Sequence, residues 1–214
     1  MENPGKVVRI VAITVSAIYA LCLHFSGLTL QGGVKQGLLY VPTLIGFGVV
    51  AFDLWLWKLP WLLPISGRPR IGGTWVAQIL PRQDSHIPEG GNRGPIDAAL
   101  IIEQTYWSLA ITVLTGESAS HSTAAAIIAN RDSRERHIVT YTYENLPKQG
   151  NRPRSMPHVG ASQLFLAGKA PTVMTGFYWT DRFTVGDMEL RQLNRKTDYM
   201  TVADVMLAAT DAAQ

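Results

Sequence analysis

The segment from Leu38 to Trp57 most limits how this chain can fold, because its twenty residues carry a single charge, that of Asp53. At about 1.5 Å of rise per residue, a helix of this length crosses the hydrocarbon core of a bilayer. A second apolar run, Val7–Phe25, precedes it, and residues 26–37 between the two runs contain four glycines. The two runs predict a transmembrane helical hairpin over residues 1–64 that holds the protein in a lipid bilayer.

The basic residues around the hairpin predict its orientation. Five of them flank its two outer ends, whereas the connecting turn carries only Lys35; the five are Lys6, Arg9, Lys58, Arg68 and Arg70. Because Lys and Arg remain preferentially on the cytoplasmic side of a membrane, both termini and the rest of the chain are expected in the cytoplasm.

Small residues recur every four positions on the first predicted helix, at Ala12, Ser16 and Ala20. Such a stripe permits close approach of another helix and is a candidate association face, although alanine and serine are also common in membrane helices without that role. Asp53 lies about one turn inside an interface marked by tryptophans, which favours an interfacial carboxylate over an ion path or a polar contact between helices.

The sequence pattern after Pro64 differs from that of the hairpin. Short runs rich in Val, Ile, Thr, Tyr and Trp alternate with Gly, Pro, Asn and Asp, a pattern typical of strands and turns. An eight-stranded antiparallel up-and-down β-barrel over residues 65–195 is predicted, with a sandwich as the competing arrangement and residues 196–214 as a C-terminal tail. The long connection 81–97 is either a lid or a plain surface loop. The predicted strands are Gly72–Leu80, Ala98–Gln104, Trp107–Thr115, Ser118–Ile128, His137–Glu144, Val159–Ala167, Thr172–Trp179 and Thr184–Leu193.

Composition argues against several functions. A net charge of +3 with 16% charged residues, not gathered into one block, disfavours polymeric nucleic acid as a partner. The single cysteine, Cys22, cannot form an intrachain disulfide. The histidines are scattered without metal-ligand spacing, and there is neither a phosphate loop nor a nucleophile elbow, so we expect no enzyme activity, no metal and no cofactor.

Alternation along the predicted strands places aromatic and polar side chains inside the barrel, which favours a binding function. Aromatic rings there can stack on flat bases, amide and hydroxyl groups can bond base edges, and a guanidinium can meet a phosphate. The same aromatic residues can equally fill a barrel core. The candidate ligand-binding residues are Gln104, Trp107, Ser120, Tyr141, Tyr143, Tyr178 and Arg182.

Short motifs along the chain resemble one family. They are GTW at 73–75, QTYWSLAITV at 104–113, ESASHS at 117–122, Y-x-Y-x-N-x-P at 141–147 and GFYWTDRFTVGDMEL at 176–190. They are similar to the bacterial membrane effectors of the cyclic-oligonucleotide-based antiphage signalling system, CBASS, of the CD-NTase-associated type with two transmembrane helices and a minimal β-barrel. Two of the motifs, G-x-W and T-D-R, also resemble motifs of lipocalin-like barrels.

The resemblance implies a function that composition does not. A CD-NTase nucleotidyltransferase makes a cyclic dinucleotide during infection, the barrel binds it, and the effector oligomerises and disrupts the inner membrane, which causes abortive infection. Two alternatives remain: a tethered lipocalin-like barrel that holds a lipid or another apolar molecule, and a membrane scaffold whose filled barrel only docks other proteins.

Overall fold

The computed structural model describes residues 4–25, 32–87, 89–129, 136–152 and 155–212. The chain divides into two compact units. One comprises Met1–Ser66 together with Thr105–Ser108, and the other comprises Gly67–Gln104 and Leu109–Gln214. We call them the helical unit and the barrel unit.

The helical unit contains two long helices, α1 (Pro4–Phe25) and α2 (Gly32–Leu54), then a 3₁₀ turn, Leu56–Lys58, and a short helix α3, Leu63–Ser66. The two long helices run antiparallel, as predicted for a hairpin. Ser16 Oγ on α1 lies 2.8 Å from the carbonyl oxygen of Ala12 and 2.7 Å from that of Pro42 on α2. A Cβ at Gly46 would lie 2.9 Å from Ser16 Oγ, so glycine at this position permits the close approach of the two helices.

Part of the small-residue stripe therefore faces the other helix of the same hairpin, since Ala12 and Ser16 lie against Pro42 and Gly46. Association of the stripe, including Ala20, with another copy of the chain stays a prediction.

Among the residues that the structure describes, one helix is long and apolar enough to cross a membrane, Val7–Phe25, with a mean hydropathy of 2.0. The second predicted span, Leu38 to Trp57, is not confirmed. Helix α2 ends at Leu54, three residues before the predicted end, and among its described residues the apolar stretch is Tyr40–Leu54.

Asp53 is the polar centre of the helical unit. Its side chain is fully buried and its Oδ2 accepts a hydrogen bond of 2.7 Å from Nε of Arg9, which brings the first turns of α1 to the end of α2. Its Oδ1 accepts a hydrogen bond of 3.1 Å from the backbone N–H of Trp107, and its carbonyl oxygen accepts one of 3.0 Å from Nε1 of Trp57. A buried carboxylate is stable only with such partners. The preferred prediction of an interfacial carboxylate is therefore wrong, and the alternative of a polar contact between helices is confirmed.

The barrel unit confirms the predicted eight-stranded barrel. Each strand pairs antiparallel with the next, and β1 pairs with β8, which closes the barrel. A sandwich is therefore excluded. The strands are β1 (Gly73–Pro81), β2 (Ile96–Gln104), β3 (Leu109–Thr115), β4 (Ser118–Ala129), β5 (Arg136–Pro147), β6 (His158–Ala167), β7 (Val173–Thr180) and β8 (Val185–Asn194).

The two ends of the barrel differ. The packed end holds the start of β1 and the end of β8, where Thr74 pairs with Asn194. The interior near it is filled by large apolar side chains with relative exposures of 2% or less, which are Trp75, Leu100, Ile102, Ile111, Val139, Leu164, Met174 and Leu190. The open end holds the connections 82–95, 116–117, 148–157 and 181–184. Because neighbouring strands alternate in direction, each strand contributes one terminus to each end.

The predicted C-terminal tail contains a further helix, α4 (Val202–Asp211). Thr201 caps it, with its hydroxyl accepting the N–H of Asp204 at 3.2 Å. Val205 is fully buried against the outer face of the barrel, where it packs with Ala99, Ile101 and Leu114.

Candidate functional site

The candidate site is a cavity of about 580 Å³ in the open half of the barrel. This volume lies within the range of roughly 300–1,000 Å³ that is usual for small-molecule sites. Ile79, Val113 and Met188 supply apolar lining toward the packed half, and hydroxyl, amide and phenol groups line the rest. An eight-stranded barrel has space for one small ligand, and this one keeps that space at a single end.

Three tyrosines from two strands line the cavity, as the sequence predicted. Tyr141 and Tyr143 are two residues apart on β5 and therefore point to the same side of the sheet, with ring centroids 5.8 Å apart. Tyr178 comes from β7. The rings supply flat surfaces on which a base can stack.

Two glycines make room for these rings. Gly160 is the cross-strand neighbour of Tyr143, and Gly186 is that of Tyr178. A Cβ at either glycine would lie 2.5 Å from the facing ring, at Cζ of Tyr143 or Cε1 of Tyr178. Each ring thus covers the backbone of a glycine on the adjacent strand, an arrangement that any larger residue would disturb.

Burial shifts the titration of the three phenols further above neutral pH. It raises the pKa of Tyr141 to about 12, against an opposing effect of the Ser162 hydroxyl, and it raises the pKa of Tyr178 to about 12 with a smaller contribution from Asp187. The pKa of Tyr143 is raised as well, first by burial and then by its tyrosine neighbours. At neutral pH all three hydroxyls are available as hydrogen-bond donors.

Asn145 organises the polar side of the cavity. It follows Tyr141 and Tyr143 at the same spacing on β5, and its Nδ2 donates to Ser118 Oγ at 2.9 Å and to Ser120 Oγ at 2.8 Å. All three polar side chains line the cavity, including the predicted Ser120. Across the opening, Thr180 Oγ1 lies 2.6 Å from Thr184 Oγ1. This lining can bond the edges of a polar ligand from several directions.

Arg182 lies in the turn between β7 and β8 at the open end. Its Nη1 donates to Ser155 Oγ at 3.2 Å and to the carbonyl oxygen of Met156 at 3.3 Å, and it lies 3.4 Å from Nδ1 of His158. Ser155 and His158 line the cavity, so the guanidinium is beside its mouth. Burial, and to a smaller degree Arg182, lowers the pKa of His158. Among the residues that the structure describes, this corner brings the Arg182 guanidinium close to an imidazole whose pKa is lowered.

The connection between β1 and β2 also borders the cavity, through Ile87, Asn92 and Pro95. It is fixed to the neighbouring turn, since the N–H of His86 donates to the carbonyl oxygen of Phe183 at 3.0 Å and Ser85 Oγ accepts the N–H of Val185 at 3.0 Å. The part of this connection that the structure describes is therefore a wall of the site. Movement as a lid stays a prediction.

Two predicted ligand-binding residues lie elsewhere. Gln104 is buried at the packed end, where its Oε1 accepts the N–H groups of Ile71 and Gly72 at 2.8 and 2.9 Å and its Nε2 donates to the carbonyl oxygen of Pro69 at 2.8 Å. It fixes the chain that leads into β1.

Trp107 was predicted to begin β3 and to face the interior, which is wrong. Strand β3 begins at Leu109, and Trp107 belongs to the helical unit, where it lies beside Tyr106 and Phe52.

Three residues that shape the site were not predicted from the sequence, although each carried a signal there; they are Asn145, Gly160 and Gly186. Asn145 stands in the Y-x-Y-x-N run, so alternation already placed it beside Tyr141 and Tyr143. A glycine inside a strand often marks the close approach of another group. Within the part of the chain that the structure describes, no group of three or more His, Cys, Asp or Glu residues is arranged to hold a metal ion.

The chain is similar to known proteins of one family. CD-NTase-associated protein 15 of Staphylococcus schleiferi is 25% identical over 154 residues, which cover 72% of this chain and 78% of that protein. Residues 66–192, more than half of the chain and the whole of the barrel up to Gln192, match the cyclic dinucleotide receptor domain of Cap15. The chain therefore belongs to the Cap15 family of CBASS effectors, and its barrel is the cyclic dinucleotide receptor domain of that family.

Proposed function

We propose that a cyclic dinucleotide binds inside the open half of the barrel, and that its binding makes the chain assemble and disrupt the bacterial inner membrane. The observation that carries the proposal is the cavity of about 580 Å³ within the receptor domain, lined by three tyrosines and by the Asn145 cluster. A ligand with flat bases, a sugar–phosphate ring and many hydrogen-bonding groups suits such a lining.

The side chains divide into three roles. Tyr141, Tyr143 and Tyr178 stack on the bases or donate to them through phenols that stay protonated. Ser120 and Asn145 bond polar edges, and Arg182 meets a phosphate at the mouth. In this proposal the chain binds its ligand without converting it and uses no metal or cofactor.

Assembly requires that the ligand favour the assembling state over the resting state. A difference of about 5.5 kcal/mol would change a 1:99 balance into 99:1. The ligand is supplied by a CD-NTase nucleotidyltransferase, the receptor and both termini lie in the cytoplasm, and the gathered helices damage the bilayer until the infected cell stops growing. The apolar helix Val7–Phe25 supports the membrane part of the proposal.

The test uses the full-length chain in dye-loaded vesicles of bacterial lipid, with cyclic di-AMP, cyclic di-GMP and cyclic GMP–AMP added in turn. We expect one of them to bind by calorimetry, to shift the protein to larger oligomers and to release dye. Binding without release would remove the membrane step. Lipid in organic extracts of the purified protein, with no response to any nucleotide, would instead support the lipocalin-like alternative.

The triple substitution Ala12→Leu, Ser16→Leu and Ala20→Leu separates binding from membrane damage. These substitutions crowd the face on which Ser16 meets Pro42, so they should leave nucleotide affinity unchanged and abolish assembly and dye release. Leucine at Ile10, an exposed and already apolar position on α1, is the matched control. Unaltered dye release from the triple variant would show that the stripe has no part in assembly.

A further inference from the structure

Helix α4 lies outside residues 66–192, the part of the chain that matches the receptor domain. It is nevertheless built into the barrel unit. Val205 is fully buried against Ala99, Ile101 and Leu114 on the outer faces of β2 and β3. Burial of a valine against three apolar side chains holds the helix on this side of the barrel.

The segment that leads to α4 is also fixed. Thr74 Oγ1 donates to the carbonyl oxygen of Lys196 at 2.6 Å, and Asn194 Nδ2 donates to the Tyr199 hydroxyl at 2.9 Å. Tyr199 and Val202 pack with the same outer cluster as Val205. The position of α4 is thus set by contacts on both sides of its N-terminus.

From this position α4 reaches the cavity. Val202 and Met206 are one helical turn apart, lie on the same face of α4 and are half-buried. Both line the cavity, together with Gly116, Glu117 and Ser118 of the turn between β3 and β4. The cavity therefore continues from the barrel interior past this turn to the surface of a helix outside the barrel.

We infer that Val202 and Met206 of α4 form part of the ligand site and contribute to its choice of ligand. This inference rests on the proposed function and deepens it. Around Ser118, Ser120 and Asn145 the lining is polar, whereas these two side chains present apolar surface. A thioether and a branched aliphatic group pack well on the face of an aromatic ring, so the part of the ligand that they hold is a nucleobase at the mouth of the cavity.

The test compares full-length variants with the unmodified chain for binding of cyclic di-AMP, cyclic di-GMP and cyclic GMP–AMP by calorimetry. The double substitution Val202→Ala and Met206→Ala removes the apolar surface, and we expect about tenfold weaker binding of the best ligand, because loss of such contacts in a pocket costs at least that factor. Met206→Leu keeps the volume and should bind within about twofold of the unmodified chain. Leu207→Ala is the matched control, since Leu207 is 66% exposed on the same helix and does not line the cavity.

Folding is monitored by the melting temperature without ligand. Val205, the fully buried anchor of the helix, is unchanged in every variant, whereas Val202, which packs beside it, is changed in the double variant. If the melting temperature of the double variant is lower than that of the unmodified chain, the pair Met206→Leu and Met206→Gln decides whether α4 contacts the ligand. Leucine and glutamine are both similar in size to methionine, and only glutamine makes the surface polar. Weaker binding by the glutamine variant alone then supports the inference.

The outcomes separate the two proposals. If the unmodified chain binds a nucleotide and the double variant binds it with equal affinity, the role of α4 is overturned. The proposed function then still stands. Failure of the unmodified chain to bind any of the three nucleotides overturns both. A change in the order of preference among the three ligands in the double variant is the strongest support, because a helix that only stabilises the barrel would weaken all three alike.

Discussion

The two halves of the barrel interior are built from the same eight strands and serve different purposes. Near the packed end the inward positions hold apolar residues such as Trp75, Leu100 and Leu164, and they fill the space. Near the open end the inward positions of the same strands hold tyrosine, serine, asparagine and threonine, and they surround a cavity. One closed sheet therefore provides stability at one end, and in the proposed function it provides recognition at the other.

The energetics of the halves differ for the same reason. Burial of large apolar side chains in the packed half provides free energy of folding in proportion to the area removed from water. In the open half, buried polar groups add little stability and need partners, which is why the amide of Asn145 binds both Ser118 and Ser120. Substitutions in the packed half should therefore change stability, and substitutions in the open half should change affinity.

The largest expected effect is that of Trp75→Ala. Trp75 is fully buried, and its Nε1 donates to the carbonyl oxygen of Ile71 at 2.8 Å. Removal of a buried aromatic ring costs about 3–5 kcal/mol of unfolding free energy, measured by urea denaturation. Trp75→Phe should lose much less. A loss below about 1 kcal/mol for the alanine variant would contradict the assignment of stability to this half.

High pH should weaken the fold through the open half. The pKa of Tyr141 is raised from 10.0 in the unfolded chain to about 12 by burial, so the unfolded state loses its proton first. Stability from this group is complete below pH 10 and is lost as the pH rises toward 12, by roughly 2–3 kcal/mol. Unfolding free energies at pH 9, 10 and 11 should fall less steeply in Tyr141→Phe. Equal slopes for the two proteins would refute this explanation.

Gly160→Val tests the point where packing and recognition meet. Its Cβ would press against the Tyr143 ring, so we expect a loss of about 1–3 kcal/mol in stability together with weaker nucleotide binding, as the ring moves into the cavity. Gly150→Ala is the control, because nothing lies within 4 Å of a Cβ there. Unchanged affinity in a destabilised variant would mean that the ligand does not contact Tyr143.

Asn145→Ala should act mainly on affinity. Loss of one well-placed amide reduces binding about tenfold, and the serine hydroxyls that it leaves can bond water in the cavity, so stability should fall by no more than about 1 kcal/mol. Calorimetry and urea denaturation on the same preparation give both quantities. Asn151→Ala removes an amide that donates to the Glu117 carbonyl oxygen at 3.2 Å and does not line the cavity, so it serves as the control. A larger effect on stability than on affinity would reverse the comparison.

Arg182→Ala should show the smallest effect. A half-exposed guanidinium at the mouth contributes up to about 1 kcal/mol to the binding of a phosphate, which corresponds to a loss of up to about fivefold in affinity. The loss should diminish as salt is added. Arg82→Ala, an exposed arginine paired with Asp84, is the control. If the salt dependence of binding is the same in the Arg182 variant and the unmodified chain, Arg182 does not meet a phosphate.

Much of the barrel could be predicted from the sequence. Period-two alternation between turn signals predicted all eight strands, and the majority of the predicted strand ends lie within about two residues of the observed ones. It also correctly predicted the inward-facing side chains Tyr141, Tyr143, Tyr178 and Ser120. Alternation predicts on which face of a strand a side chain lies, but it does not predict how far along the barrel axis that side chain lies. Gln104 also faces inward, yet it stands at the end of β2, which strand direction assigns to the packed end.

The remaining features depend on contacts between distant segments. The pairing of Arg9 with Asp53 depends on how two helices align, which neither helix encodes alone. The approach of α4 to the cavity depends on where a tail folds back after the last strand. Local patterns carry no information about such arrangements, because both come from packing.

The pairing of β1 with β8 has a consequence for synthesis of the protein. The last strand is β8, so the barrel cannot close and the cavity has no complete wall until Val185–Asn194 has left the ribosome. A nascent chain that holds only β1–β7 lacks the partner of β1. In the proposed function, the response to nucleotide therefore begins only once β8 is in place.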